Sequence, residues 1–194
     1  MRLFFLGFIL TIFSCGKGSQ EEQSSLPRPK GFPLMDIPTH EYRSLEKGHP
    51  FTFEVSRMAK VRKDTFALAE PHWMYIYYPR WDAFIQLTYK SVDGDRKRLD
   101  KMIRDSYILA SKHQMKANRI EDAILTTKDG RKATIIELEG EVATPFQFFA
   151  TDSTSHFLRG AVYLNTAMKN DSLAPVIRYI KQDAIHLIQT LKWK

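Results

Sequence analysis

The sequence predicts an α+β fold, an antiparallel β-sheet packed with two main amphipathic helices. Three observations point there. Apolar residues alternate with a period of two over most of the chain beyond residue 50. A helical period replaces it only twice, after Asp95 and again near the C-terminus. Long helical crossovers are therefore too few for a doubly wound parallel sheet.

The first 50 residues hold little regular structure by composition. Pro27, Pro29, Pro33, Pro38 and Pro50 predict an extended arm, which over 32–50 lies on the globular body. "FTFEV" (51–55) reads as a short strand and "MAKVRKD" as a second, amphipathic one. "HWMYIYYPRWDAFIQLTYK" is the clearest hairpin: aromatic and β-branched at 72–78, turning over Pro79 to Asp82, returning at 83–89. On the return strand Ala83, Ile85, Leu87 and Tyr89 share one face, and Phe84, Gln86 and Thr88 share a partly buried one. The first strand is apolar on both faces and reads as covered on both sides.

A helix of roughly five to six turns follows, with Asp93 or Asp95 as its cap. Leu99, Ile103, Ser106 or Tyr107, and Ala110 form its apolar stripe. A strand over 119–127 then turns through Asp129-Gly130, where glycine tolerates positive φ, into "KATIIELEG". "PFQFFAT" and "HFLRGAVYLN" make another hairpin around "DSTS". The closing helix is capped at Asp171 or Ser172 and buries Ile177, Ile180, Ala184, Leu187, Ile188 and Leu191. The element order is analogous to the PsbP-like α/β/α sandwich.

The N-terminus carries an address. Arg2 precedes an uncharged run from Leu3 to Phe13, which has the length of a signal-peptide core and is too short to span a bilayer. Residues 1–14 are read as a signal peptide ending in "IFSC". Ile12 and Ser14 match a bacterial lipobox, while Phe13 stands where a smaller residue is usual. Cys15 is the single cysteine, so no internal disulfide can form, and it is the expected lipid attachment site. Residues 15–31 read as a lipidated flexible tether and 32–194 as one globular domain. Acylated Cys15 would be the membrane anchor, with the body in the cell envelope facing the periplasm, at the outer membrane in preference to the inner.

The formal net charge is +7. Basic residues cluster at Arg57, Lys60, Arg62 and Lys63, and at Arg96, Lys97, Arg98, Lys101 and Arg104. An exported chain does not normally meet nucleic acid, so the anions to consider are lipid head groups, cell-wall polymer or an acidic protein. No phosphate-binding glycine loop occurs, and His40, His49, His72, His113, His156 and His186 lack metal-ligand spacing. His113 and His186 read as packing histidines on helices. Glu137, Glu139 and Glu141 read as a solvated strand face. The expectation is a protein without cofactor, metal or small-molecule substrate.

"TDSTSHFLRG" (151–160) gathers Asp152, Ser153, Ser155 and His156 within a few residues. A triad needs nucleophile, base and orienter in hydrogen-bonded series, which chain neighbours on a strand rarely supply. No nucleophile-elbow motif surrounds either serine. Short polar side chains that accept from nearby backbone N–H groups make a turn here. An envelope hydrolase using this cluster is the least favoured reading. Two surfaces are expected to contact a partner. One is the aromatic hairpin of Trp73, Tyr75, Tyr77 and Trp81, and the other is the polar turn with Asp152, Ser153, His156 and Arg159.

Several separated blocks fall in one order: "PKGFPLMDIPTHEY", "PFTFEV", "YYPRWDAFIQLTYK", "DSYILASKHQMKANRIED", "QFFATDSTSHFLRGAVYLN" and "DSLAPVIRYIKQDAIHLIQTLKW". Together they resemble the gliding motility lipoprotein GldD family. The resemblance implies a lipid-anchored envelope protein, needed for surface motility and associated with type IX secretion, that acts through other gliding and secretion proteins. It supplies no catalytic residue, only the lipidated Cys15. A cell-wall or anionic-lipid binding module, resting on the basic helix face, is the alternative.

Overall fold

The computed structural model describes residues 36–112, 116–127, 129–165 and 170–194. Cys15, the tether, the start of the arm and His113 lie outside the described residues.

Among the described residues, eleven strands and two helices follow in chain order. They are β1 (Tyr42–Ser44), β2 (Phe51–Thr52), β3 (Glu54–Ser56), β4 (Lys60–Lys63), β5 (Met74–Tyr78), β6 (Ala83–Ser91) and α1 (Arg96–Ser111). Then come β7 (Ala117–Thr126), β8 (Lys132–Gly140), β9 (Phe146–Thr151), β10 (His156–Leu164), α2 (Asn170–Thr190) and β11 (Lys192–Trp193). Seven strands form one antiparallel sheet in the order β4-β5-β6-β10-β9-β8-β7. The α+β fold read from the sequence is the one observed.

Each local hairpin follows from its turn chemistry. At the β7–β8 turn Gly130 takes φ +80, and the Thr127 hydroxyl accepts from the Arg131 N–H at 3.0 Å. The long-range step is the pairing of β6 with β10, from Ala83 opposite Leu164 to Ser91 opposite His156. It joins the two halves of the sheet into one surface.

α2 covers one face. Val176, Ile180, Ala184, Leu187 and Ile188 pack with Met74, Ile76, Ile85, Leu87, Leu158 and Val162 in the main core. Complete burial of each such side chain is worth about 1.5–3 kcal/mol before entropy is charged against it. The stripe is rotated slightly from expectation. Val176 and Tyr179 are buried, whereas Ile177 is half-buried. α2 runs from Asn170, so Asp171 and Ser172 stand within its first turn and not at its cap. Pro175 consequently lies inside the helix and removes one ladder bond near its start.

The described part of the arm is fixed to α2. The Asp183 carboxylate is buried there and accepts the Tyr78 hydroxyl at 2.8 Å. His40 Nδ1 meets its other oxygen at 2.7 Å, with the imidazole stacked on Tyr179. His186 is a packing histidine, as read from the sequence: it stacks on Tyr42 and bonds Glu54 at 2.7 Å.

α1 lies on the opposite face. Asp95 is its N-cap and accepts from the Arg98 N–H at 3.1 Å. Leu99, Ser106 and Ala110 are its buried residues, which assigns the ambiguous stripe position to Ser106 and leaves Tyr107 outside. The helix has 16 residues, about four and a half turns, so it is shorter than expected. β7 begins at Ala117, two residues before the predicted strand start, and takes chain that the helical reading claimed.

Candidate partner-binding surface

α1 packs on β8, β9 and β10 and touches β7 at its end, through Ala117 and the Tyr107–Asp122 contact. Its cluster comprises Leu99, Ala110, Ile136, Leu138, Phe149 and Phe157, with Val92 and Val142. No helix packs on the same face of β4, β5 and β6 among the described residues; only the buried Asp64 carboxylate reaches onto it, accepting from the Gln86 amide at 3.4 Å. The cause is the chain path after β6. Val92 N–H donates to the Ser155 carbonyl at 2.8 Å and Gly94 N–H to that of Thr154 at 2.7 Å. This clasp starts α1 beside the β9–β10 turn and sends it across the β9 side of the sheet.

The uncovered half-face is aromatic. Alternation on β5 buries Met74, Ile76 and Tyr78 and leaves Tyr75 and Tyr77 half-exposed. The Tyr75 ring meets Phe84 edge-on at 5.2 Å, and Phe84 stacks on Tyr163 at 5.1 Å. The Arg62 guanidinium lies 4.1 Å from the Tyr77 ring centroid, a cation–π contact. Arg62, Tyr75, Tyr77, Asp82, Phe84 and Asn165 line a shallow cavity of about 330 Å³. Tyr77 donates its hydroxyl to Asp82 at 3.1 Å. The Tyr75 phenol is pushed above its usual value, first by burial and then by Asp64.

Arg159 belongs to this surface. It stands opposite Thr88 on β6 and Phe149 on β9, two residues along from Ala161, which is opposite Gln86 and Gln147. Its Nη2 donates to Gln147 Oε1 at 2.5 Å, and the Gln147 amide donates to Thr144 at 3.0 Å. No carboxylate forms an ion pair with Arg159 among the described residues. Burial draws the guanidinium below its usual value, and Tyr163 opposes that shift. A half-buried cation with only a neutral acceptor favours an incoming carboxylate.

The residues named from the sequence therefore divide. Tyr75, Tyr77 and Arg159 share the open half-face. Trp73 closes one end, its Nε1 donating to the Tyr89 carbonyl at 2.8 Å under the Lys90 ammonium. Trp81 does not extend the ladder. It faces the other way and packs on Tyr78 and Tyr179, because Asp82 takes φ +45 and the turn breaks the strand alternation. The reading of β5 as covered on both sides is also corrected, since α1 does not reach it.

The polar turn is structural. Asp152 Oδ1 accepts from the N–H groups of Thr154, Ser155 and His156 at 3.0, 2.8 and 2.9 Å. Burial works against its charge, but these donors outweigh it and hold the carboxyl below its usual value. Ser153 sits at φ +68, exposed. His156 Nδ1 meets the Tyr89 hydroxyl at 2.8 Å and its ring stacks on Trp193. Asp152 thus caps a turn and does not orient His156, which is spent on holding the C-terminus.

Sequence reasoning missed Arg62, Phe84 and Tyr163 as members of the surface. The signal available was the alternation of "AFIQLTYK" and "FLRGAVYL", which becomes one surface only through the β6–β10 pairing. The basic helix face is partly neutralised: Arg98 pairs with Asp93 at 2.9 Å and Lys101 with Asp105 at 2.6 Å. Glu137 is bonded by Lys181 at 2.5 Å. Among the described residues no group of three His, Cys, Asp or Glu is placed to hold a metal, and no helix is long and apolar enough to cross a membrane.

Among solved structures the chain is similar to the solution structure of cyanobacterial PsbP (CyanoP) from Synechocystis sp. PCC 6803. The identity is 9%, the TM-score 0.47, and the match covers 84% of this chain and 98% of that one. No curated protein matches the sequence. The family model described as gliding motility lipoprotein GldD matches residues 22–193, nearly the whole chain beyond the signal-like run. The chain therefore belongs to the gliding motility lipoprotein GldD family, a family of lipid-anchored cell-envelope proteins.

Proposed function

We propose that this lipoprotein acts without catalysis, as a docking component of the motility apparatus associated with type IX secretion. Its anchor is the acylated Cys15, and its body faces the periplasm, at the outer membrane. The open half-face with Tyr75, Tyr77, Phe84, Tyr163, Arg62 and Arg159 receives another envelope protein of that apparatus.

The observation that carries this reading is the unbalanced helix coverage of the sheet. Aromatic rings and arginine are the residue types that anchor protein interfaces, and here they are preassembled on rigid strands. Arg159 would take a carboxylate of the partner, and the tyrosine hydroxyls would supply orienting hydrogen bonds. The turn at Asp152 contributes stability to the clasp that leaves this face open.

The test is a chromosomal deletion complemented by surface variants. Deletion is expected to abolish gliding and reduce type IX export, and the wild-type chain to restore both. A deletion strain that glides and secretes normally would refute the proposal. Ser153→Ala with His156→Ala, at normal protein level, is expected to glide; loss of gliding there would favour the hydrolase reading.

A further inference from the structure

The two edges of the main sheet are unlike. β4 is four residues long and carries Lys60, Arg62 and Lys63, the short charged form that resists pairing with another chain. β7 is ten residues long, pairs with β8 alone among the described residues, is regular from Arg119 onward and is exposed throughout 118–124. A long, accessible edge strand presents a row of backbone donors and acceptors to any strand that fits it.

β7 also borders an apolar patch. Ile120, Asp122 and Ile124 project on the α1 side, since Asp122 is opposite Ile136 of the α1 cluster. Ile120 is 37% and Ile124 66% exposed, and Tyr107, on the flank of α1 that borders the strand, is 40% exposed. The Tyr107 hydroxyl reaches Asp122 Oδ2 at 3.4 Å, which sets the helix end beside the strand. Exposed apolar side chains along an accessible strand edge mark an interaction surface.

We propose that β7 pairs antiparallel with β7 of a second copy of this chain, about a twofold axis at Ile120. Two independent requirements select that register. Opposed residues in an antiparallel pair share a face, so only registers that oppose even with even residues place both α1 helices, and both apolar patches, on one side of the joined sheet. Within these, a centre at Arg119, Glu121 or Asp122 sets a charge opposite itself, and a centre at Ala123 or Ile124 opposes no unlike charges within the strand. A centre at Ile120 sets Arg119 opposite the second copy's Glu121 twice and Ile120 opposite Ile120, on the regular stretch that begins past the irregularity at Asn118. Arg119 and Glu121 already pair within one strand, so the two copies close a ring of four alternating charges. The same face of the same strand serves both copies, as a closed twofold interface requires. The lipid anchor of the family holds copies on one membrane and raises their effective concentration.

The test uses the full chain, whose one native cysteine is Cys15. Ile120→Cys places two thiols across the axis at a Cα separation of about 4.5–5.5 Å, within disulfide reach. Under mild oxidation in the cell envelope it is expected to give a disulfide-linked homodimer, read on a non-reducing gel. Ile124→Cys is expected to give none, because eight residues separate the two copies in this register, about 27 Å. In detergent, Arg119→Glu is expected to weaken the dimer about tenfold by sedimentation. Arg119→Glu with Glu121→Arg is expected to restore it. Equal crosslinking by both cysteine variants would overturn the proposal, as would crosslinking of Ile120→Cys to a different protein only. A charge swap as weak as the single reversal would do the same.

Discussion

The phenol of Tyr78 on β5 donates to the carboxylate of Asp183 on α2 at 2.8 Å, inside the core and 105 residues away in sequence. Both groups are buried, and His40 of the arm bonds the same carboxylate at 2.7 Å. One acid thus ties strand, helix and arm together. Asp183→Ala is expected to cost about 3 kcal/mol, since it leaves the buried Tyr78 hydroxyl unmatched and takes one partner from the half-buried His40. Tyr78→Phe is expected to cost about 1–2 kcal/mol, because His40 still bonds the acid. Urea denaturation measures both, and equal losses in the two variants would contradict the arrangement.

Burial first, and Asp183 second, hold the Tyr78 phenol well above its usual value; burial also raises Tyr75 and Tyr89. The unfolded chain loses these protons near pH 10, whereas the folded protein keeps them. Below that pH both states are protonated and stability does not depend on these groups. Above it the unfolded state binds fewer protons, so stability falls as pH rises. Denaturation midpoints are expected to be level from pH 7 to 9 and to drop above about 10, with a shallower drop in Tyr78→Phe.

Gly160 on β10 faces Phe148 on β9, and a Cβ placed there would stand 2.2 Å from the ring. Phe148 is buried at 1% exposure and cannot swing aside. Gly160→Ala is expected to cost about 2 kcal/mol or more through overpacking. A melting temperature equal to that of the wild type would show that the ring can move.

Asp152→Ala removes one acceptor from three backbone donors in the β9–β10 turn. The expected loss is about 1–2 kcal/mol, similar to removal of a helix cap. Asp152→Asn keeps the accepting oxygen and is expected to lose less. Because the Asp152 carboxyl is held below its usual value, its contribution is complete above about pH 4 and fades as pH falls through the folded value.

Local chemistry made much of this fold legible. Alternation in "MYIYYPRWDAFIQLTYK" separated Met74, Ile76 and Tyr78 from Tyr75 and Tyr77, and Asp129-Gly130 marked the β7–β8 turn. What alternation cannot give is which face a helix covers, since both faces of β5 are rich in apolar atoms. That was decided by the Val92–Ser155 and Gly94–Thr154 hydrogen bonds, which join segments some 60 residues apart and aim α1 at β9. Trp81 was misplaced because period-two reasoning stops at a turn. Arg159 was assigned to the polar turn by sequence proximity, whereas its strand position turns it toward Gln147 and the tyrosines.

The account rests on the open half-face as the place where this lipoprotein meets its partner. The direct measurement is gliding by cells that carry Arg62→Glu, Tyr77→Ser and Tyr163→Ser together, with protein level and melting temperature of the variant compared with wild type. All three side chains lie on the open half-face, outside the two core clusters: Arg62 and Tyr77 on β4 and β5, and Tyr163 near the end of β10, stacked on Phe84. The account predicts non-gliding cells with a stable, normally abundant protein. Full gliding by such cells would contradict it.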